Sequence, residues 1–413
     1  MLPILFRNAR LFDGTTAEYP ERMHVLVEGG LIREVSEKPI RINNCQVIDV
    51  AGRTIMPGLI DAHIHAYFCD VDWHKVDAAG EAYRAAHAVR MLNFALNCGF
   101  TTVRDIGGGD YGLWRAITDG LIRAPRFLYA GKMISMTGGH GDTRLMNESH
   151  HHQGYCSCGS ANALNVVADG VDECVKAVRE ELRRGAHCVK IMASGGVASP
   201  TDPIWMNQYR EDEIRAIVNE AKERQTYTSA HCHPTSAIQR CIQCGVRVIE
   251  HGTLIDRATA ELVADSGAFV VPTLVIIHVL AEQGRELGLP VQSQEKVVWI
   301  FREALQGLEA MQSAGVKIGF GTDLLGETYV QQCREFRIRK EVFSPLEILR
   351  QATSINAELL QQEGRLGCIA PGAFADLLVV DGDPLKDIEL LAESGRHLKV
   401  IMRAGELIRS DLS

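Results

Sequence analysis

Short apolar runs in this chain repeatedly end on residues that can bind a metal or move a proton. The run "GLIDAHIH" (58–65) ends on His63 and His65. Side chains two apart on an extended strand share a face, so these two imidazoles are presented together. Neutral imidazole is a common metal ligand, and one strand can supply two of them. Alone, such a pair could equally be two polar residues where a strand meets solvent. The other run ends decide the matter: Asp105, His140, Lys190, His231 with His233, His251, Thr273 and Asp323 follow in order. So regular a series favours a metal site assembled from five strands, with His63 and His65 as one part of it.

Lys190 needs a separate account. It lies in "CVKIMASGG", between Val189 and Ile191, on a strand that should be buried. An unpaired ammonium there is costly, and burial lowers a lysine pKa. Either a carboxylate pairs with it, or the neutral amine has taken up carbon dioxide. The resulting carbamate would be an anionic oxygen ligand able to bridge two ions.

These residues need a scaffold that brings strand ends together. From residue 58 onward, short apolar strands alternate with amphipathic stretches such as "GVDECVKAVREELRRG" and "REDEIRAIVNEAKERQ", whose apolar residues recur at three- and four-residue spacing. Eight strands are expected, ending with "RFLYAGKMIS" as the third, "AFVVPTLV" as the seventh and "VKIGFGTD" as the eighth. That alternation predicts an α/β fold, a (β/α)8 TIM barrel with its chemistry at the C-terminal strand ends. An open doubly wound sheet is the runner-up, but it usually carries a Gly-rich phosphate loop after its first strand, and "DAHIHAYF" is not one. Both chain ends are β-rich, with Gly14, Gly29, Gly30 and Gly52 placed like hairpin turns. The expected organisation is a small β-sandwich from residues 1–57 and 364–413, flanking a catalytic barrel over 58–363.

Composition narrows the function classes. The 413 residues are 46% hydrophobic and 23% charged, with a net charge of −9, which is ordinary for a soluble globular protein. No basic run suggests nucleic acid, and no apolar run approaches the ~18 residues of a membrane span. The N-terminus "MLPILFRNARLFDG" lacks the marks of a signal peptide. Twelve scattered cysteines read as reduced core residues of a cytoplasmic protein.

The motifs "PGLIDAHIH", "VKIMASGG", "SAHCH", "IEHGT", "GFGTD" and "APGAFADLLVVDGDP", in this order, resemble the amidohydrolase superfamily of metal-dependent barrel hydrolases. The resemblance spans nearly the whole chain. It implies two divalent ions, expected to be zinc. His63, His65 and Asp323 would hold one ion and His231 and His251 the other, with carboxylated Lys190 and a hydroxide between them. The implied chemistry is amide hydrolysis by attack of that hydroxide, with Asp323 moving a proton to the leaving nitrogen.

Within the superfamily, "SMTGGHGD" (135–142) and "MASGGVASPTDP" (192–203) resemble the dipeptidase and prolidase branch of the imidazolonepropionase relatives. L-Xaa-L-Pro dipeptides are therefore the expected substrates. Imidazolonepropionase-like cyclic amide hydrolysis and N-acyl amino acid hydrolysis are the alternatives. The filled ligand positions argue against an inactive scaffold, and Lys190 argues against a one-metal deaminase. His140 would hydrogen-bond the developing oxyanion, and His233 would contact substrate or brace a ligand. Arg144 is a candidate for the substrate carboxylate, because its fork suits that group. The contiguous "SHHHQGYCSCG" (149–159) reads as a loop beside the mouth rather than a zinc site. A homo-oligomer is expected.

Overall fold

The computed structural model describes residues 2–16, 22–144, 164–197, 202–288 and 291–412. Strands from the two chain ends share one sheet. Its order runs Glu406–Ser410, Leu398–Arg403, Leu377–Val380, Thr54–Pro57, Ile4–Leu11, Met23–Glu28, Leu31–Ser36, with Gln46–Asp49 beside Ile4–Leu11. Gly29 and Gly30, both at positive φ, turn the antiparallel pair Met23–Glu28 and Leu31–Ser36 as expected. Gly52 does not make a hairpin. Gln46–Asp49 and Thr54–Pro57 both pair parallel with Ile4–Leu11, at successive registers along it. Gly14 lies in the segment that joins the antiparallel pair Ile4–Leu11 and Met23–Glu28. Its α-carbon lies so close to the Gly367 carbonyl that a Cβ would come within 2.1 Å of that oxygen.

Only Gly58 separates the end sheet from the first central strand, Leu59–Ile64, and a Cβ there would lie 2.0 Å from the Thr101 hydroxyl. Leu59–Ile64, Phe100–Asp105 and Arg126–Tyr129 form a three-stranded parallel sheet. A seven-stranded sheet, parallel in each of its pairings, runs Asn165–Val167, Met133–Ser135, Val189–Met192, Thr228–Pro234, Val248–Leu254, Phe269–Val271, Lys317–Ile318. Backbone hydrogen bonds tie the two sheets on both sides. Ala62 N–H donates to Phe320 O (2.9 Å) and Asp323 N–H to His63 O (2.8 Å); opposite, His187 N–H donates to Tyr129 O (2.8 Å).

Leu59–Ile64, Phe100–Asp105, Val189–Met192 and Thr228–Pro234 are buried from end to end, as strands covered on both faces should be. Each fully buried Val, Ile or Leu contributes roughly 1.5–3 kcal/mol. Gly170–Arg183 and Glu211–Glu223 bury the residues their periodicity predicts, among them Cys174, Ala177 and Val178 on the first and Ile214, Ile217 and Val218 on the second. The ten described cysteines are all free, and seven are buried.

Three strand expectations need correction. "RFLYAGKMIS" is two strands, broken where Gly131 takes φ +75°. A Cβ there would fall 2.1 Å from a Glu181 carboxylate oxygen that accepts the Lys132 N–H. Asn165–Val167 is an additional strand beside Met133–Ser135. "AFVVPTLV" stops at Val271: Pro272 has no N–H to extend the ladder, and a helix, Leu274–Gln283, starts two residues later.

Candidate metal centre

The structure brings His63, His65, His140, Lys190, His231, His233, His251 and Asp323 to one cavity. The arrangement starts from unusual backbone. Neighbouring residues on a strand point to opposite faces, yet Glu250 and His251 both reach His63. His251 does so at φ +71°, and Asp323 sits at φ +56°. Two non-glycine residues in the left-handed region cost of order 1–3 kcal/mol each, and such strain clusters at functional sites.

The first half of the centre is His63, His65 and Asp323. His63 Nδ1 lies 2.7 Å from Glu250 Oε2, and His65 Nδ1 lies 3.0 Å from the Gly107 carbonyl. A carbonyl only accepts, so His65 carries its proton on Nδ1. Glu250 is fully buried; burial opposes its charge, but Arg104 and His63 outweigh that and hold its pKa far below the ordinary carboxylate value. As an anion it accepts from His63 Nδ1. Both Nε2 atoms are then lone pairs. They stand 3.3 Å from each other, and 3.3 and 3.2 Å from Asp323 Oδ1. Three acceptors at that range require a cation among them. Burial pulls the His63 pKa down, but Asp323 and Glu250 overcome it and raise it. A divalent ion taking nitrogen and oxygen ligands meets the demand for a cation.

The second half is built from His231, His233 and His251. Their ring centroids are 4.6–4.9 Å apart. His251 Nδ1 lies 2.9 Å from the Thr273 hydroxyl, and His233 Nδ1 lies 2.9 Å from the Thr253 hydroxyl. His231 Nε2 is buried with no hydrogen-bond partner among the described residues. Burial first, then the neighbouring imidazoles, push His231 and His251 well below the ordinary histidine pKa. Neutral imidazoles with a bare buried nitrogen are metal-ligand material. Among the described residues, two groups have ligand atoms close enough to hold an ion: His231 with His233 and His251, and His63 with His251 and Asp323. His251 belongs to both, so the two halves adjoin.

Lys190 is fully buried and lines the same cavity. Burial lowers its pKa, and the attractions of Glu250 and Asp323 offset that only in part. His140 stacks on His231 at 4.4 Å, and its Nδ1 lies 2.8 Å from Asp202 Oδ2. Gly196 permits this approach, since a Cβ on it would sit 2.0 Å from the His140 ring. Arg144 lies elsewhere: its Nε donates to Asp142 Oδ1 at 2.6 Å, and it is not among the cavity-lining residues. Asp105 accepts backbone N–H groups of Ala66, Gly107 and Gly109 and so fixes the turns around His65. The segment 149–159 lies outside the described residues. Three site-supporting residues went unread in the sequence: Glu250, Arg104 and Asp202. Only the adjacency of Glu250 to His251 offered a local signal.

Fold and centre together define an α/β protein with a buried nitrogen- and oxygen-rich cluster at the ends of parallel strands. The chain belongs to the amidohydrolase family, which matches over residues 54–408. A solved amidohydrolase is 48% identical, with each chain fully covered and a TM-score of 0.96. A prolidase solved with N-methylphosphonate-L-proline is 44% identical over 99% of this chain and 100% of its own, with a TM-score of 0.95. An ochratoxinase of Aspergillus niger is 31% identical over 372 residues, 86% of this chain and 75% of its own. No helix among the described residues is long and apolar enough to cross a membrane.

Proposed function

We propose that this chain is a two-metal amide hydrolase acting on the bond between an acyl group and a C-terminal amino acid, with L-Xaa-L-Pro first among substrates. The observation that carries the reading is the facing set of His63 Nε2, His65 Nε2 and Asp323 Oδ1, all within 3.3 Å of one another. The prolidase at 44% identity supports the substrate class. The two parallel sheets are read as arcs of one (β/α)8 barrel, supported by the hydrogen bonds that tie them on both sides. The shared end sheet is read as the small β-sandwich, with domain limits at 57 and 364.

His63, His65 and Asp323 would hold one divalent ion, zinc in the first instance, and His231 and His251 a second. Lys190 would stand between them as a carbamate, formed when its neutral amine adds to carbon dioxide and loses a proton. When bound, such ions polarise a carbonyl and bring water's pKa toward neutrality.

The remaining work falls to side chains. Glu250 holds His63 in the tautomer that presents Nε2, and the Gly107 carbonyl does the same for His65. Asp323 faces the cluster and can carry a proton from water to the leaving nitrogen. That transfer suits an Xaa-Pro bond, a tertiary amide without an N–H, whose nitrogen must be protonated to leave. His140, whose Nδ1 donates to Asp202, would donate from Nε2 to the substrate carbonyl oxygen only as the doubly protonated ring, with Asp202 as its counter-ion.

The test is kcat/KM on L-Xaa-L-Pro, on the C-terminal amide of the same dipeptide, and on imidazolonepropionate, together with metal analysis of the purified protein. A preference above about tenfold for the free carboxylate, worth ~1.4 kcal/mol, supports the reading. Equal rates on acid and amide, or preference for the imidazolone, overturn it.

A further inference from the structure

Arg84, Arg104 and Arg339 are the buried arginines among the described residues. Arg104 pairs with Glu250 at 2.6 Å, and Arg339 with Glu335 at 2.7 Å. Arg84 has no such counter-ion. It is 5% exposed, its Nη1 donates to the Val76 carbonyl at 3.1 Å, and no carboxylate among the described residues pairs with it. The Val76 carbonyl does not depend on it, since the Ala79 N–H also donates there. A buried cation without a counter-ion is costly, and a guanidinium has further N–H donors to satisfy.

Arg84 lines a cavity of about 620 Å³, within the range of small-molecule sites. This cavity shares no lining residue with the one over the metal cluster. Tyr67 and Lys132 line the first, while their neighbours Phe68 and Met133 line the second. The lining includes three basic side chains, Arg84, Lys132 and Arg184, and three acidic ones, Glu81, Asp110 and Glu181. The acids are placed away from Arg84. Glu181 accepts the Lys132 N–H at 3.0 Å and stands 3.7 Å from Arg184. Asp110 accepts the Tyr67 hydroxyl at 3.1 Å and caps the helix Tyr111–Thr118. Glu81 is exposed at the start of the helix Glu81–Asn97. The field at Lys132 reflects this: burial lowers its pKa, Glu181 opposes that, and Arg184 and Arg84 add to the lowering.

We infer that this side cavity binds a free α-amino acid, with its carboxylate on the Arg84 fork and its ammonium facing Glu81 and Asp110. The carboxylate supplies the counter-ion that Arg84 lacks, in the geometry a guanidinium favours. Three acidic side chains would repel a multiply charged anion, whereas a zwitterion adds no net charge. Ala82, Ala85 and Leu164 in the lining suit an apolar side chain. The inference does not rest on the hydrolase reading.

Calorimetric titration of the purified protein with L-leucine, L-phenylalanine and L-proline tests it. At least one should bind. Its amide, without the carboxylate, and its desamino acid, without the ammonium, should each bind at least about tenfold more weakly, because each loses hydrogen bonds to a charged group. Arg84→Met should abolish binding, while the melting temperature of the ligand-free protein stays the same or rises as a stranded charge is removed. Glu81→Gln, at an exposed position where folding is not at stake, should weaken the amino acid and leave the desamino acid unmoved. Undiminished binding to Arg84→Met would put the ligand elsewhere, the metal centre included, and overturn the inference. A lower melting temperature or failure to fold in that variant would make Arg84 a structural brace and overturn it too, as would no binding of any of the three amino acids. Equal affinity for the amino acid and its desamino acid would overturn the assignment of a zwitterion.

Discussion

The two halves of the centre are braced in different ways. The His63 and His65 half is held by a charge and a backbone carbonyl: Glu250 on one Nδ1, the Gly107 carbonyl on the other, and Arg104 behind Glu250 at 2.6 Å. The His231 and His251 half has weaker anionic support: the Thr273 hydroxyl meets His251 Nδ1 at 2.9 Å, the Asp323 carboxylate stands farther off at 3.8 Å, and His231 Nε2 is bare. The pKa directions follow from this. Anions raise His63, whereas burial and like neighbours lower His231 and His251. The first half is therefore built to retain a cation strongly, and the second to offer uncharged ligands. On the proposed two-metal reading, the ions should bind with unequal affinity, the tighter one at His63, His65 and Asp323.

Asp323 gives the most severe test, because it belongs to the first half and, in the proposed mechanism, also carries the proton. In Asp323→Asn the shape is kept while a charged ligand and a proton carrier are lost. Turnover should fall by at least ~10²–10⁴-fold, the usual worth of general acid–base catalysis, with part of the metal retained. Steady-state rates and metal counts on the same preparation check this. A loss of less than about tenfold would remove Asp323 from the mechanism.

Lys190 tests whether the halves are joined. Lys190→Ala should lose at least one ion and most of the activity, and a short carboxylate such as propionate should restore part of both by filling the bridge. A variant that keeps two ions and a normal rate would mean that the halves bind independently and that no carbamate lies between them.

What the sequence revealed follows the same division. His63, His65, His231, His251 and Asp323 were legible because a polar residue at the end of an apolar run is visible locally, and strand periodicity tells which way it points. The braces were not. Glu250 pairs with Arg104 146 residues away and with His63 187 residues away, and Asp202 meets His140 across 62 residues. Nothing short-range in "RVIEHG" distinguishes a buried, paired glutamate from an exposed one. The left-handed turn at His251, which lets two consecutive residues face the same side, is also hidden from a rule of strict alternation. Gly131 was visible, but its effect depended on Glu181 of a later helix capturing the Lys132 N–H. Long-range partners, rather than the site residues themselves, marked the limit of the reading.

Glu250 sharpens the comparison at intermediate cost. Glu250→Gln keeps the shape but removes the charge shared by His63 and Arg104. Metal affinity of the first half should drop about 10- to 100-fold, as for other groups that orient ligands. The fold should also lose about 3–5 kcal/mol, because Arg104 is left buried without its counter-ion. Competitive chelation and thermal melts of the metal-free protein separate the two effects. An unchanged first-ion affinity would show that the charge behind His63 serves stability alone.

The smallest expected effect lies in the second half. Thr273→Val removes the hydroxyl that meets His251 Nδ1 and keeps the side chain's volume. One neutral hydrogen bond contributes about 0.5–1.5 kcal/mol, so the weaker ion should lose about tenfold or less in affinity while the tighter ion is unmoved. Leaving His251 Nδ1 unsatisfied adds a desolvation cost, but no buried charge is stranded, in contrast to Glu250→Gln. The melting temperature of the metal-free protein should accordingly shift much less than in that variant. The readout is a two-step metal titration in which only the second step moves. If Thr273→Val instead weakened the first ion as strongly as Glu250→Gln, the halves could not be distinguished by their braces. His251, which has ligand atoms within reach of both groups, would then have to be assigned to the first ion rather than the second.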